Sequence, residues 1–380
     1  MNRLNQWRWI ALVIVSGSTL LQWFAHSCGL LLTHDSYNYL SAAKSFREHG
    51  QLLAITGDPY IYWPPLFPVL LSLFREPLKV MMWTHLILFV AIGSIMAIIA
   101  ERLIQHKIVR GICMISLMCG VHLIMNSVFL WSELLFIFLA LILSYYLPKS
   151  NELSSAFVTS LVLGFLLCIQ RNAGIYILSG AALWIAIEGS LSWQQNIKKA
   201  LFFFIITTSG FWLWNLSITF LFSSPFQLQK GDFFYYIGYN LKGMMWALLK
   251  TYLPLKESWT VLMVVILIGL FFFLKKNFKE DLMLRAMSCI ILGYLLGIIL
   301  LFRIEAEEEL DRFVSVILPF SGLIFFSAID KMLIDKSNRI KMITSLALTL
   351  WLIYPLGRTA KNVIQWHETS CSVSTVSVNQ

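Results

Sequence analysis

Residues 9–35 read WIALVIVSGSTLLQWFAHSCGLLLTHD, an apolar run with no Asp, Glu, Lys or Arg before its last residue. A helix of about 20 apolar residues spans a bilayer, so the part from Trp9 to Leu32 is long enough to cross one. The run is too long for a signal peptide and lacks a small-residue cleavage site. We therefore predict a retained membrane span that ends just before His34 and Asp35.

The whole chain has a composition typical of membrane proteins. Its 380 residues are 58% hydrophobic and 13% charged, with a mean hydropathy of +0.74, whereas soluble domains carry about 25% charged residues. A soluble fold has too much surface to hide this much apolar side chain. This excludes a soluble enzyme, a disordered regulator and a small disulfide scaffold.

Apolar runs predict an all-α polytopic membrane protein with about eleven transmembrane helices (10–13) in one domain over residues 1–357. The two short runs around Gln170–Asn172 are separated only by a polar turn. The predicted spans are Trp9–Leu32, Met81–Ala100, Ile108–Met125, Phe129–Leu147, Ser155–Ile169, Ala173–Ile187, Ala200–Phe222, Ser258–Leu274, Ala286–Phe302, Phe313–Ala328 and Met342–Leu356.

The charge distribution predicts the orientation. With a cytoplasmic N-terminus, the cytoplasmic segments hold 16 of the 29 Lys and Arg and 7 of the 20 Asp and Glu, and the remaining charges balance. Basic residues in short cytoplasmic loops are the pattern of membrane insertion, so the net charge of +9 does not indicate a nucleic-acid partner. We expect a multi-pass protein of a bacterial inner membrane, and the endoplasmic reticulum is the less favoured alternative.

In this orientation the long loops are on the outside, at 33–80 and 223–257, the first and fourth outer loops. Long loops with their own sequence pattern tend to carry function. We predict interfacial helices in both loops, at Ser36–His49, Pro64–Phe74 and 233–253. Residues 358–380 are expected to form a loosely ordered tail.

The six cysteines include no C-x-x-C pair, and four of them lie inside apolar runs, where a thiol behaves as a small hydrophobe. We therefore predict no structural disulfide and no cysteine-ligated zinc.

His34-Asp35 is the most informative polar pair. An aspartate at a membrane boundary is costly to desolvate unless it is paired or used. One interpretation is that Asp35 caps the N-terminus of the Ser36–His49 helix, and the other is that it acts in a functional site.

Three more charged residues lie in or beside apolar runs. Glu133 begins the fourth span and is expected to bind a sugar hydroxyl, orient the Asp35 loop or pair with Arg171. Arg171 is a candidate phosphate ligand, because its planar guanidinium suits phosphate oxygens, and the alternative is a surface turn. Arg312 is a second candidate, with an ion pair to Asp311 or a nearby Glu as the alternative. Lys230 and Arg303 are weaker candidates.

Several motifs then follow in order along residues 9–330. They are Asp35, Ala42-Ala43, Gly50, the run Pro64-Pro65-Leu66-Phe67-Pro68, Ser132-Glu133, Arg171-Asn172, Trp214-Asn215, Asp311-Arg312-Phe313 and Leu318-Pro319. In this order and topology the chain resembles the GT-C superfamily of polytopic glycosyltransferases, which use polyprenyl- or dolichyl-phosphate sugars. Many members have two adjacent acids in the first outer loop, whereas here the pair is His34-Asp35, so we expect no metal cofactor.

The resemblance implies glycosyl transfer on the non-cytoplasmic face, by a hexosyl- or pentosyltransferase. Nucleotide sugars are cytosolic, so a donor on the outer face has to arrive on a lipid carrier. Its phosphate leaving group needs a cation, and the acceptor hydroxyl needs a base. We expect Asp35 to be the base of an inverting reaction and Arg171, Arg312 or Lys230 to hold the lipid phosphate. The sugar remains open, as does whether the acceptor is a lipid, a glycan or a protein.

Other side chains have supporting or alternative interpretations. His34 is expected to tune Asp35, and Tyr37 lies close by in the same predicted helix. The aromatic residues Tyr60, Tyr62 and Trp63 can stack on a sugar or form an interfacial belt. The acidic run at 305–311 can ligate Mg²⁺ or Ca²⁺, although such runs are usually solvated loop.

Two further activities are open alternatives. A transporter or flippase of a lipid-linked sugar would place polar residues midway through several spans, whereas here they cluster toward one face. An outer-face polysaccharide ligase or polymerase would use a diphosphate-linked oligosaccharide.

Overall fold

A computed structural model describes residues 3–189, 191–222, 233–253, 281–301 and 307–377. These residues form α-helices, one short 3₁₀ helix at Leu147–Asn151, two isolated β-bridges and connecting turns. The helices are α1 (Arg3–Ala25), α2 (His34–His49), α3 (Leu66–Ser72), α4 (Pro77–Leu103), α5 (Lys107–Met118), α6 (Val121–Val128), α7 (Glu133–Tyr146), α8 (Ser154–Gln170), α9 (Gly174–Glu188), α10 (Trp193–Phe222), α11 (Phe233–Tyr252), α12 (Leu282–Leu301), α13 (Glu307–Leu333), α14 (Asn338–Trp351) and α15 (Ile353–Ser377).

The all-α polytopic fold is confirmed. Within the described ranges, eight helical segments are long and apolar enough to cross a membrane, and α8 and α9 are shorter apolar helices. Together they correspond to ten of the eleven predicted spans. The remaining predicted span, Ser258–Leu274, lies outside the described residues. The short pair meets at the polar turn around Arg171, as the sequence predicts.

The first outer loop contains two of the predicted surface helices, α2 and α3. Helix α2 begins two residues earlier than predicted, and its N-cap is Thr33 rather than Asp35. The Thr33 N–H donates to Ser36 Oγ at 3.0 Å, which is the capping-box contact. Asp35 therefore sits in the first turn of α2, and the capping interpretation of its side chain is wrong.

Helix α11 corresponds to the predicted interfacial helix at 233–253. The rest of the 223–257 loop, with Lys230, lies outside the described residues.

Backbone pairing joins the start of α2 to the start of α7. The Leu31 N–H donates to Val128 O at 3.0 Å, and the Leu130 N–H donates to Leu31 O at 2.9 Å. Ser36 Oγ adds a bond to Leu130 O at 3.0 Å. These bonds connect segments that are about a hundred residues apart in the chain, and they bring Asp35 and Glu133 to one end of the bundle.

Helices α9 and α12 cross at a pair of glycines. A Cβ on Gly180 would overlap the Cys289 carbonyl, and a Cβ on Gly293 would overlap the Gly180 backbone. Small residues let helix backbones approach closely in membranes, where van der Waals packing drives association. This crossing fixes the helix that follows the Arg171 turn.

Replacing Gly180 or Gly293 by Ala is expected to lower the unfolding temperature in detergent, because the new methyl group meets backbone that cannot rotate away. Gly17→Ala in α1 is the matched control, since nothing lies within 4 Å of its added Cβ. That change should be neutral or slightly stabilising, because Ala favours helix over Gly by about 1 kcal/mol. Equal effects at the three positions would contradict the close crossing.

The prediction that the chain has no disulfide is wrong, because Cys28 and Cys371 are bonded to each other. The bond connects the end of α1 to the C-terminal helix across 343 residues of sequence. Cysteine spacing cannot reveal such a pair, because only the return of the chain beside α1 brings the two thiols together. His367 lies beside the bonded sulfurs, but these cannot both serve as thiolate ligands while they are bonded.

The expectation of a loosely ordered tail from residue 358 is also wrong, since helix α15 continues to Ser377. Its end is held against α1 by the disulfide and by His367. The His367 ring stacks on Phe24 with centroids 4.2 Å apart, and its Nδ1 lies 2.9 Å from Phe24 O. These contacts give the segment a packed environment that its Ser- and Thr-rich sequence does not indicate.

Peptide mapping without reducing agent should recover a fragment that links Cys28 to Cys371, while Cys113 and Cys168 stay as free, buried thiols. The double variant Cys28→Ser/Cys371→Ser should lose about 2–4 kcal/mol of stability, a typical value for a native disulfide. Recovery of both peptides as free thiols from native membranes would contradict the bond.

Candidate active site

A cavity of about 210 Å³ opens at the end of the bundle where α2 and α7 begin. Five parts of the chain line it: the start of α2, the segment before α3, the N-cap of α7, the turn between α8 and α9, and the start of α13. The lining residues are Asp35, Tyr39, Tyr62, Trp63, Pro64, Ser132, Gln170, Arg171, Asn172, Ala173, Arg312 and Phe313.

Four charged side chains form one network at this cavity. Glu133 Oε1 accepts from Arg171 Nη1 at 2.8 Å and from Arg312 Nη2 at 2.7 Å. Arg312 Nη1 also donates to Asp35 Oδ2 at 2.8 Å. The Glu133 side chain is 1% exposed, whereas those of Asp35 and Arg312 are each 19% exposed. Glu133 therefore anchors the network from inside, and Asp35 and Arg312 face the cavity.

The local backbone explains how these side chains meet. Arg171 follows the last residue of α8 in an extended conformation, and its Nη1 also donates to Ser132 Oγ at 2.9 Å. Arg312 lies near the start of α13, with its guanidinium 4.3 Å from the centre of the Trp131 ring. Trp131 Nε1 donates to Thr33 Oγ1 at 2.8 Å, which connects this support to the N-cap of the helix that carries Asp35.

The network is electrically neutral, with two carboxylates and two guanidinium groups. Buried charges are tolerated when they are paired and hydrogen-bonded. Guanidinium groups suit phosphate oxygens, and a partly exposed carboxylate can accept a proton. The arrangement can therefore bind an anionic ester and remove a proton at the same place.

Aromatic residues form the wall beneath the cavity. The Tyr39 ring contacts Phe67 and Trp63 edge-on, with centroids 5.0 and 5.9 Å apart. Burial raises the pKa of Tyr39 to about 12 and raises the pKa of Tyr60 beyond its usual range. Both phenols therefore stay neutral and give the wall an apolar character.

The structure brings together Asp35, Glu133, Arg171 and Arg312, and it places Tyr62 and Trp63 in the cavity lining. Arg312 forms an ion pair, as one of its two interpretations predicts. Its partners are Glu133 and Asp35, and not the adjacent Asp311. Asp311 instead pairs with Lys250 at 2.9 Å.

The remaining predicted residues lie elsewhere. The His34 side chain is 81% exposed, with its Nδ1 4.0 Å from Asp35 Oδ1. Tyr37 is exposed and Tyr60 is buried beneath the site, and neither lines the cavity. Lys230 and Arg303 lie outside the described residues, and so does Glu305, the first acid of the run at 305–311.

Sequence reasoning missed Trp131 and Gln170. Trp131 directly precedes the Ser132-Glu133 pair, but nothing in its type distinguishes it from the many interfacial aromatics. Gln170 Nε2 donates to Ser132 O at 3.0 Å. The sequence does contain a signal for Gln170, because this residue lies in the polar turn that separates the two short spans, directly before Arg171.

Glu133→Gln is expected to lower the free energy of unfolding by about 3–5 kcal/mol, because it leaves the largely buried Arg171 guanidinium without a counter-charge and leaves Arg312 with Asp35 alone. Asp35→Asn should cost less, since Asp35 is partly exposed and Arg312 keeps Glu133 as a partner. Thermal unfolding in detergent compares the two variants. A larger loss for Asp35→Asn would contradict the role of Glu133 as the anchor.

Sequence comparison finds no matching protein-family model and no matching curated protein. Structure comparison matches the chain to two crystal structures of ArnT from Cupriavidus metallidurans, one bound to undecaprenyl phosphate and one in the apo state. The TM-scores are 0.56 and 0.54, each at 12% sequence identity. Both matches cover 96% of this chain and 76% of ArnT.

This similarity extends over nearly the whole chain. It confirms the all-α polytopic fold that the sequence predicts. The chain therefore has a membrane fold similar to that of ArnT.

Proposed function

We propose that this protein transfers a sugar from a polyprenyl-phosphate-linked donor to an acceptor hydroxyl on the non-cytoplasmic face of a bacterial inner membrane. The observation that carries the proposal is the network of Asp35, Glu133, Arg171 and Arg312 at a cavity in a GT-C-like fold. The network combines a candidate base with candidate phosphate ligands, which is the minimal set that such a transfer needs.

Arg171 and Arg312 hold the donor phosphate in this proposal. Both line the cavity, and their guanidinium groups can donate paired hydrogen bonds to phosphate oxygens. One of the two ArnT structures is bound to undecaprenyl phosphate, a lipid of the proposed donor class. Glu133 keeps both arginines in place while the ligand enters and leaves.

Asp35 acts as the general base. It removes the proton from the acceptor hydroxyl as the acceptor oxygen forms a bond to the anomeric carbon. The bond from that carbon to the phosphate oxygen breaks on the opposite face, so the configuration inverts. The lipid phosphate leaves with the bonding electrons, and the two arginines stabilise its added negative charge.

The ion pair between Asp35 and Arg312 gives this base a means of control. Arg312 Nη1 donates to Asp35 Oδ2 at 2.8 Å, so this oxygen is occupied in the free protein. A donor phosphate competes for the same guanidinium. Its arrival therefore frees Asp35 Oδ2 to accept the proton of the acceptor hydroxyl when the sugar is in place.

Two features support the outward orientation of this site. The charge distribution favours a cytoplasmic N-terminus. The Cys28–Cys371 disulfide lies just beyond the end of α1, only a few residues before Asp35, and disulfides persist in oxidising compartments. Both favour an active site on the non-cytoplasmic face.

Asp35→Asn is expected to lower sugar transfer by about 10²–10⁴-fold, the usual contribution of a general base. Transfer is measured as the undecaprenyl phosphate released from a panel of undecaprenyl-phosphate-linked hexoses and pentoses. The assay uses membrane vesicles that contain the overproduced protein and its native acceptors. Binding of undecaprenyl phosphate itself should remain, because both arginines are intact.

Arg171→Gln is the matched comparison, and it should weaken binding of undecaprenyl phosphate. Wild-type activity in Asp35→Asn would contradict the assignment of the base. Vesicles with the wild-type protein that release no more undecaprenyl phosphate than vesicles without it would contradict the proposed function.

A further inference from the structure

Gln170 and Asn172 lie on either side of Arg171 and both line the cavity. Each side-chain amide is fixed by a bond from its nitrogen to a backbone carbonyl. Gln170 Nε2 donates to Ser132 O at 3.0 Å, and Asn172 Nδ2 donates to Tyr62 O at 3.3 Å. These bonds determine which way each amide faces, so the two carbonyl oxygens point away from the backbone groups that hold the nitrogens.

Both of these oxygens lack a partner. Gln170 Oε1 and Asn172 Oδ1 are buried and accept no hydrogen bond from any described residue. A buried carbonyl without a donor costs free energy and is rare in native proteins. Because both residues line the cavity, a ligand bound there can supply the missing donors.

The chemistry of the two atoms restricts that ligand. An amide oxygen only accepts, so its partner must present an O–H or N–H group. A phosphodiester at neutral pH presents only acceptors, and a polyprenyl chain presents neither donor nor acceptor. Sugar hydroxyl groups are donors, and the apolar faces of sugar rings suit the aromatic side chains of Tyr62 and Trp63 in the same lining.

We infer that Gln170 and Asn172 bind hydroxyl groups of the sugar that the donor lipid carries, and thereby select which sugar is transferred. The inference rests on the proposed function. It assigns these residues to the donor sugar rather than to the acceptor, because the donor sugar is bonded directly to the phosphate that Arg171 holds. The residues on both sides of Arg171 therefore lie where that sugar has to be.

The test compares the affinities of two probes, one with the sugar and one without it. Undecaprenyl phosphate has no sugar, and the second probe is the tightest-binding member of a panel of undecaprenyl-phosphate-linked hexoses and pentoses. Gln170→Met and Asn172→Leu preserve side-chain size and remove the amide, both its oxygen and the nitrogen that donates to Ser132 O or Tyr62 O. The deoxy analogues described below separate the loss of the oxygen from the loss of that bond. Both variants should bind undecaprenyl phosphate like the wild type. Each should bind the glycosylated probe about tenfold or more weakly, because a site built for a hydroxyl loses that contact.

Mono-deoxy analogues of the glycosylated probe identify the hydroxyl that each residue contacts. Removing the hydroxyl bound by Asn172 should weaken binding to the wild type and cause no further loss in Asn172→Leu, with the equivalent result for Gln170→Met. This non-additivity distinguishes a direct contact from a general disturbance of the fold, which would weaken every analogue equally.

Three results would overturn the inference. The first is wild-type affinity of both variants for the glycosylated probe. The second is an equal loss of affinity for both probes, which would assign the residues to the phosphate or to the fold. The third is unchanged donor binding with a raised KM for the acceptor. Failure of the wild-type protein to bind either probe would instead refute the proposed function, and the inference with it.

Discussion

The structure of this site depends on one buried oxygen atom. Glu133 Oε1 accepts hydrogen bonds from two arginines that come from distant parts of the chain, one after α8 and one near the start of α13. A carboxylate with 1% side-chain exposure is tolerated at the end of a membrane bundle only because two cations are fixed around it. The same pairing prevents either arginine from turning toward solvent, so both remain available at the cavity wall.

This constraint also explains the place of Asp35. Arg312 donates to Glu133 Oε1 from Nε and Nη2, and its Nη1 donates to Asp35 Oδ2. Asp35 is therefore oriented by a cation that a phosphate can also bind. Around this centre, Trp131 supports the guanidinium of Arg312 from one side, and the backbone pairing of Leu31 with Val128 and Leu130 connects the segments that carry the two carboxylates.

Sequence alone predicts the spans and the main charged residues for the same physical reason. Long apolar stretches predict spans because a helix needs about 20 apolar residues to cross a bilayer. Asp35, Glu133 and Arg171 stand out because charged residues are costly in or beside such stretches. Sequence alone does not identify the ion-pair partners of Arg312. Asp311 is adjacent to it in the chain, whereas Glu133 and Asp35 come within hydrogen-bond distance of Arg312 only in the folded protein. The disulfide and the ordered end of α15 depend on contacts between the two ends of the chain. No pattern of neighbouring residues in the sequence predicts contacts between segments so far apart in the chain.

A structure of the protein with undecaprenyl phosphate tests the central claim most directly, because it shows where the phosphate binds relative to the four charged side chains. The account predicts phosphate oxygens within hydrogen-bond distance of both Arg171 and Arg312, with Asp35 released from Arg312 and Glu133 still holding both arginines. A phosphate bound away from both arginines, with the Asp35–Arg312 pair intact, would contradict it.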